Sequence, residues 1–149
     1  MNILVTGGAG FIGSHVVDEY VRLGHRVAIV DNFSTGRRIN VNPAATLYEA
    51  DIRDAEEMRR IFERERFDLL NHHAAQMDVR RSVEDPVYDA SVNILGALTL
   101  LECCVRTGVR RVVFISSGTI YGDQEQQPVK ESATPNPRSP YAVSKLAAE

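Results

Sequence analysis

The chain has 149 residues, with 17 Lys and Arg against 20 Asp and Glu for a net charge of −3, 44% hydrophobic and 25% charged. That length suits one domain burying roughly 68–70% of its unfolded surface, and the composition excludes disordered, collagen-like and coiled-coil classes. Without a long basic run there is no electrostatic footprint for nucleic acid, and the longest apolar stretch, Ile94 to Val105, is too short for a membrane span and contains Glu102.

Asn2 to Thr6 reads as a buried strand, ended by glycine, with no charged segment ahead of it as a signal peptide would have. Phe11 to Leu23 carries apolar residues at helical spacing, and Gly24 sits where a helix-ending glycine belongs. Arg26 to Val30 is a second strand and Thr46 to Glu49 a third. Asp54 to Glu65 is a charged surface helix with Met58, Ile61 and Phe62 facing in. Phe67 to His72 is a fourth strand, Pro86 to Arg106 a long helix and Arg111 to Ser116 a fifth strand. Gly118 to Arg138 is a long polar loop, of the kind that usually carries function. Ser139 and Pro140 supply an N-cap and a first-turn proline for a last helix running to the end of the chain. Strand and helix alternate throughout, which predicts an α/β doubly wound parallel sheet, a Rossmann fold, over residues 1–149. The adjacent Cys103 and Cys104 are unsuited to a disulfide or a zinc site and are expected as reduced core thiols, fitting a cytoplasmic protein.

Two segments carry chemistry. Thr6-Gly7-Gly8-Ala9-Gly10-Phe11-Ile12-Gly13 joins the first strand to the first helix, where glycines permit a tight turn and close approach to a pyrophosphate at the helix N-terminus. Asp31, an acid at the end of the next strand, is placed to accept hydrogen bonds from an adenosine ribose, and its charge would repel a 2′-phosphate, favouring NAD over NADP. Arg37 and Arg38 could hold such a phosphate, or form a solvated pair. Further on, Tyr141-Ala142-Val143-Ser144-Lys145 puts a phenol and an ammonium on one helix face. Tyrosine is a poor base at neutral pH, and a cation within about 4–6 Å favours the phenolate by roughly 1–3 pK units. Ser117, just past the fifth strand, supplies a hydroxyl that could share a substrate proton with Tyr141.

The motifs T-G-G-A-G-F-I-G (Thr6 to Gly13), D-N-F-S-T-G (Asp31 to Gly36), A-D-I-R-D (Ala50 to Asp54), H-H-A-A-Q (His72 to Gln76), V-N-I-L-G (Val92 to Gly96), S-S-G-T-I-Y-G (Ser116 to Gly122) and S-P-Y-A-V-S-K (Ser139 to Lys145) occur in one order over essentially the whole chain. On them the chain resembles the extended short-chain dehydrogenase/reductase family of NAD-dependent sugar-nucleotide epimerases and dehydratases, and most of all its UDP-hexose 4-epimerases. The resemblance implies that Gly7, Gly10, Phe11, Ile12 and Gly13 line the NAD pyrophosphate and that Asp31, Asn32, Ser34 and Gly36 hold the adenosine ribose. Asp51 and Ile52 would flank adenine, Ala74, Ala75 and Gln76 would pass the nicotinamide half, and Asn93 would support that wall. Ser117, Tyr141 and Lys145 would be catalytic, Tyr141 taking the proton of a sugar 4-hydroxyl, and Tyr141 and Lys145 would also touch the cofactor.

The family's dehydratases carry Asp-Glu directly after the catalytic hydroxyl residue, whereas this chain has Gly118-Thr119. Without a carboxylate, elimination of water lacks its proton carrier, leaving epimerase or keto-reductase chemistry. A non-catalytic NAD-sensing module is a third reading, disfavoured by the intact Ser117, Tyr141 and Lys145. His72 and His73 lack a third ligand for a metal, so none is expected. Met77, Asp78, Arg80 and Arg81 either border a nucleotide-sugar or form a solvated loop. Apolar residues on more than one face of the Pro86–Arg106 helix suggest a partner helix, which in the family is a homodimer's four-helix bundle. Family members continue with as much chain again, including a C-terminal substrate domain. The expectation is therefore a fragment that binds NAD weakly or not at all and does not turn over a sugar. Its last helix would be marginally short and its fifth strand an exposed apolar edge.

Overall fold

The computed structural model describes residues 1–149. Its contacts divide the chain into two compact units, Met1–Ala75 with Gly96–Ile115, and Gln76–Leu95 with Ser116–Glu149.

The first unit is a five-stranded sheet built from β1 (Asn2–Thr6), β2 (Arg26–Asp31), β3 (Thr46–Glu49), β4 (Leu69–His72) and β5 (Arg111–Phe114). Every pairing is parallel and the order is β3-β2-β1-β4-β5. Central strands covered on both faces must be apolar throughout, and Ile3, Leu4 and Val5 are fully buried. Ile3 and Val5 face α1 (Phe11–Arg22) and pack with Val17, Val27, Ile29 and Leu69. The other face holds α2 (Ala55–Glu65) against α5 (Gly96–Thr107), with Met58, Ile61, Phe62, Ala97 and Leu100 buried. Cys103 and Cys104 are free and buried in this layer, and burial pushes the Cys104 thiol up to about 12, so neither is a ready nucleophile.

Sequence signals set the ends of these elements. Gly24 N–H donates to the Val21 carbonyl at 2.9 Å and His25 N–H to that of Tyr20 at 3.0 Å, the paired bonds that close a helix at a C′ glycine. Asp54 caps α2 by accepting from Glu57 N–H at 3.0 Å. The order of strands reverses beside β1: the chain winds from β1 outward to β3, then returns to β4 on the other side of β1. The crevice outside the carboxyl ends of β1 and β4 is thus the switch point at which such sheets bind ligands.

The second unit contains α3 (Val79–Glu84), α4 (Pro86–Ala90), a π-helical stretch at Ser91–Leu95, a 3-10 turn at Gly118–Tyr121 and α6 (Pro140–Ala147). All of the others pack against α6. Ser139 accepts from Ala142 N–H at 3.1 Å and Pro140 opens the helix, as the sequence predicts. The polar loop is tied back by Asn136 N–H to the Ile120 carbonyl at 2.9 Å.

Four expectations need correction. The segment after Gln76 is not all loop, because Asp78 accepts from the N–H groups of Arg80 and Arg81 and starts α3 there. The helix from Pro86 runs to Thr107 and is π-wound in its middle, which the residue pattern does not reveal. Its 22 residues are long and apolar enough to cross a bilayer by length and composition. Its buried Ala97, Leu100, Cys103 and Cys104 instead make it a core helix, and it carries Asp89, Glu102 and Arg106. Finally, β4 begins at Leu69 and β5 ends at Phe114, each two residues inside the expected bounds, and α6 stops at Ala147 rather than at the chain end.

Candidate active site

In the first unit, the turn after β1 is held from both sides. Gly7 N–H donates to the Val30 carbonyl at 2.8 Å, and Gly10 N–H to the Gly7 carbonyl at 3.0 Å. Gly7 has φ +70°, and a Cβ there would lie 2.7 Å from the Ala74 nitrogen. A Cβ on Gly13 would lie 2.2 Å from the Gly7 carbonyl oxygen, so α1 packs on the turn at a distance only glycine permits. The N-terminus of α1 has no side-chain cap and no acidic residue in its first turn, while Phe11 and Ile12 are exposed beside it. Open N–H groups, a positive dipole end and no competing carboxylate make a cradle that fits a pyrophosphate.

Asp31 is buried, and its carboxylate is already at work: Oδ2 accepts from Ala9 N–H at 3.0 Å and Oδ1 from Phe33 N–H at 2.8 Å. It therefore fastens the glycine-rich turn to the end of β2. A carboxylate has about four acceptor positions, so capacity for a ribose hydroxyl remains. Asn32 continues the rim, accepting from Ser34 N–H at 3.0 Å and donating to Asp51 at 3.0 Å. The Arg53 guanidinium hydrogen-bonds Asp51 and pulls its carboxyl down to about 2, with the Arg53 N–H and Asn32 acting in the same direction. Ile52 is buried against Gly96, and the Gly36 backbone lies close against Asp31. Arg38 pairs with Glu49 and stacks on Phe33 at 4.6 Å, commitments that count against a 2′-phosphate role. Past β4, Ala74 N–H donates to Thr6 Oγ1 at 3.3 Å, fixing the Ala74–Ala75 segment beside the turn. His72 is buried with Nδ1 2.6 Å from the same Thr6 hydroxyl, a structural partnership.

The second unit gathers the other predicted residues around α6. Ser117 caps the 3-10 turn that packs on α6, and its Oγ lies 2.9 Å from Thr119 Oγ1. Thr119 was not singled out from the sequence as a site residue, and its neighbour two residues back is the only signal that could have found it. Tyr141 is half-buried in the first turn of α6, and Lys145, one turn on, is 5% exposed. Burial pushes the Lys145 ammonium down to about 8 against the opposing pull of Glu149 and Asp89. Asn93 accepts from Gln76 N–H at 2.9 Å and donates to the Gln76 carbonyl at 2.9 Å, clasping that residue's backbone as a neighbouring strand would. Asn93 also donates to Ser144 Oγ at 3.1 Å, and Ser144 donates to the Tyr141 carbonyl at 2.9 Å. Asp89 and Ser144 belong to this buried network and were missed from the sequence. The available signal was an acid one turn before Asn93, on the same helix face and off the apolar stripe of Val87, Ala90 and Ile94.

A parallel sheet with a glycine-rich β1–α1 turn and an acid closing β2 defines a dinucleotide-binding Rossmann protein. The chain belongs to the NAD dependent epimerase/dehydratase family, whose model matches residues 3–149. The UDP-glucose 4-epimerase of Thermotoga maritima, solved with UDP-glucose, is 47% identical with a TM-score of 0.97, over 99% of this chain and 48% of that one. The Thermus thermophilus UDP-glucose 4-epimerase, solved with NAD, gives 48% identity and a TM-score of 0.96, again over 99% and 48% of the two chains. The UDP-glucose 4-epimerase of Lacticaseibacillus casei is 41% identical over 149 residues, 100% of this chain and 45% of the relative. The chain thus spans about half the length of the curated relatives it matches.

Proposed function

We propose that this chain is the cofactor-binding and catalytic part of an NAD-dependent UDP-hexose 4-epimerase. The observation that carries the reading is α6, which presents Tyr141 one turn from a buried Lys145 and packs on the turn capped by Ser117, where Gly118 and Thr119, not carboxylates, directly follow the serine. The glycine-rich turn and α1 would hold the pyrophosphate, and Asp31 with Asn32 the adenosine ribose. The rim residues Ser34, Gly36, Asp51 and Ile52 would enclose the adenosine, and Ala74, Ala75 and Gln76 the nicotinamide half. When bound, NAD supplies the acceptor for the hydride at sugar C4. Tyr141 withdraws the proton of the 4-hydroxyl and later returns it, Ser117 shares that proton through its hydroxyl, and Lys145 stabilises the phenolate. The hydride lost from C4, held by the bound NAD, would return to the other face of the turned 4-keto sugar, so the sugar would undergo no net oxidation. With Gly118-Thr119 directly after Ser117, no carboxylate stands there to carry protons for the elimination of water, which supports epimerisation over dehydration.

The exposed Leu98, Leu101 and Val105 lie along one line of α5, and we assign them to pairing with a second copy in a homodimer. We place the protein in the cytoplasm, consistent with free Cys103 and Cys104. The test is interconversion of UDP-galactose and UDP-glucose by a protein carrying this chain at the length of its relatives. Turnover without net NADH change, lost in Tyr141→Phe, is expected, whereas stoichiometric NADH consumption would select a ketone reductase. The 149 residues assayed alone are expected to show no turnover.

A further inference from the structure

Asp89 is 1% exposed, and in the Tyr141–Lys145 mechanism it has no part. Its Oδ1 accepts from Gln76 Nε2 at 2.8 Å and Asn93 Nδ2 at 3.1 Å, while Oδ2 is buried with no donor upon it. A carboxylate enclosed this way costs several kcal/mol unless charge or hydrogen bonds compensate. Two amides meet half of it. The buried cation of the same unit is Lys145, on the helix that packs against α4, and the attraction between them favours the charged amine. Two charged groups act on Lys145, first Glu149 beyond the end of α6, which is exposed, and then Asp89 from α4, which is the buried one. A second route runs through hydrogen bonds, because the Asn93 amide that donates to Asp89 also donates to Ser144 Oγ, which donates to the Tyr141 carbonyl.

We propose that Asp89 is a positioning residue for the Tyr141–Lys145 pair: it is the buried counter-charge of Lys145 and, through Asn93 and Ser144, it fixes the backbone of Tyr141. The proposal rests on the reading of Tyr141 and Lys145 as the reacting pair. It also explains why an acid is buried one turn before Asn93, and why Gln76, whose Oε1 accepts from Asp78 N–H at 2.7 Å and whose Nε2 donates to the Asp78 carbonyl at 2.8 Å, turns that same amide onto Asp89.

The chain holds two lysines, Lys130, which is exposed, and Lys145. Lysine labelled with carbon-13 at the ε position therefore gives two resonances whose titrations can be followed separately. Asp89→Asn preserves shape and the Oδ1 acceptor while removing the charge. Its expected effect is a Lys145 midpoint displaced to lower pH with Lys130 unmoved. An unmoved Lys145 midpoint would overturn the proposal. In the protein at the length of its relatives, the same variant should lower kcat about tenfold with KM within about twofold, a split that loose packing would not produce. Wild-type kcat in Asp89→Asn would count equally against the idea. Should Asp89→Asn fail to fold, adding Lys145→Met, which removes the buried cation, should restore folding, and a double variant that stays unfolded refutes the pairing. Persistence of turnover in Tyr141→Phe would sink the epimerase reading, while the lysine titration, independent of turnover, would still decide the role of Asp89.

Discussion

Replacing Lys145 by methionine should make the protein more stable at neutral pH. The side chain is buried, and burial lowers its ammonium from the usual 10.5 to about 8. Unfolded, the amine holds its proton up to its ordinary range; folded, it releases it sooner, so the native state binds fewer protons between those limits. Stability therefore rises with pH across that window. The shift corresponds to a cost of about 3 kcal/mol at pH 7, falling to about 2 at pH 9 and below about 1 at pH 10. Methionine fills a similar volume without the charge; the attraction of Glu149 and Asp89 is already contained in the value of about 8, so beyond it the change loses only the amine's hydrogen bonding. Chemical denaturation of wild type and Lys145→Met should then show a difference of about 2–3 kcal/mol in favour of the variant at pH 7, closing by pH 10. In the longer protein the same change should abolish turnover. A variant less stable than wild type at pH 7, or an advantage that does not vary with pH, would refute the claim that Lys145 is held charged at the expense of the fold.

Other outcomes are as specific. Gly13→Ala forces a methyl to within 2.2 Å of the Gly7 carbonyl, so it should cost about 2–4 kcal/mol in thermal unfolding and, in the protein at the length of its relatives, eliminate NAD binding by calorimetry. Asp31→Asn turns an NH2 group toward either Ala9 N–H or Phe33 N–H. It should cost about 1–3 kcal/mol in urea denaturation and narrow the preference for NAD over NADP. Leu98→Glu, on an exposed site of α5, should leave the melting curve of the monomer unchanged within about 0.5 kcal/mol. In sedimentation of the longer protein it should convert a dimer to a monomer.

The sheet was legible because buried parallel strands are short apolar runs and glycines punctuate them; Thr46–Glu49 matches its expected bounds residue for residue. The inward face of α2 was equally plain, since Met58, Ile61 and Phe62 are the apolar residues of a charged segment. What escaped was short or non-periodic. α3 has only six residues, too few for a helical period to show, although the Asp78 cap was a usable signal. The π-wound turn at Ser91–Leu95 holds the buried Asn93, and no periodicity of five residues can announce it. For the site, the residue types were readable and the second commitments were not. Asp31 reads as a ligand group and proves also to be a fastener, Asn93 reads as a wall and proves to clasp the Gln76 backbone, and Asp89 gave no motif at all.

The double duty of Asp31 has an evolutionary consequence. A lineage drifting toward phosphorylated cofactor would first have to replace the acceptor that restrains Ala9 and Phe33. A switch of coenzyme at this position therefore needs at least two coordinated substitutions, and single-step variants pass through a loosened loop. Selection for a steady turn would by itself preserve the discrimination, even where the cell offers no competing dinucleotide.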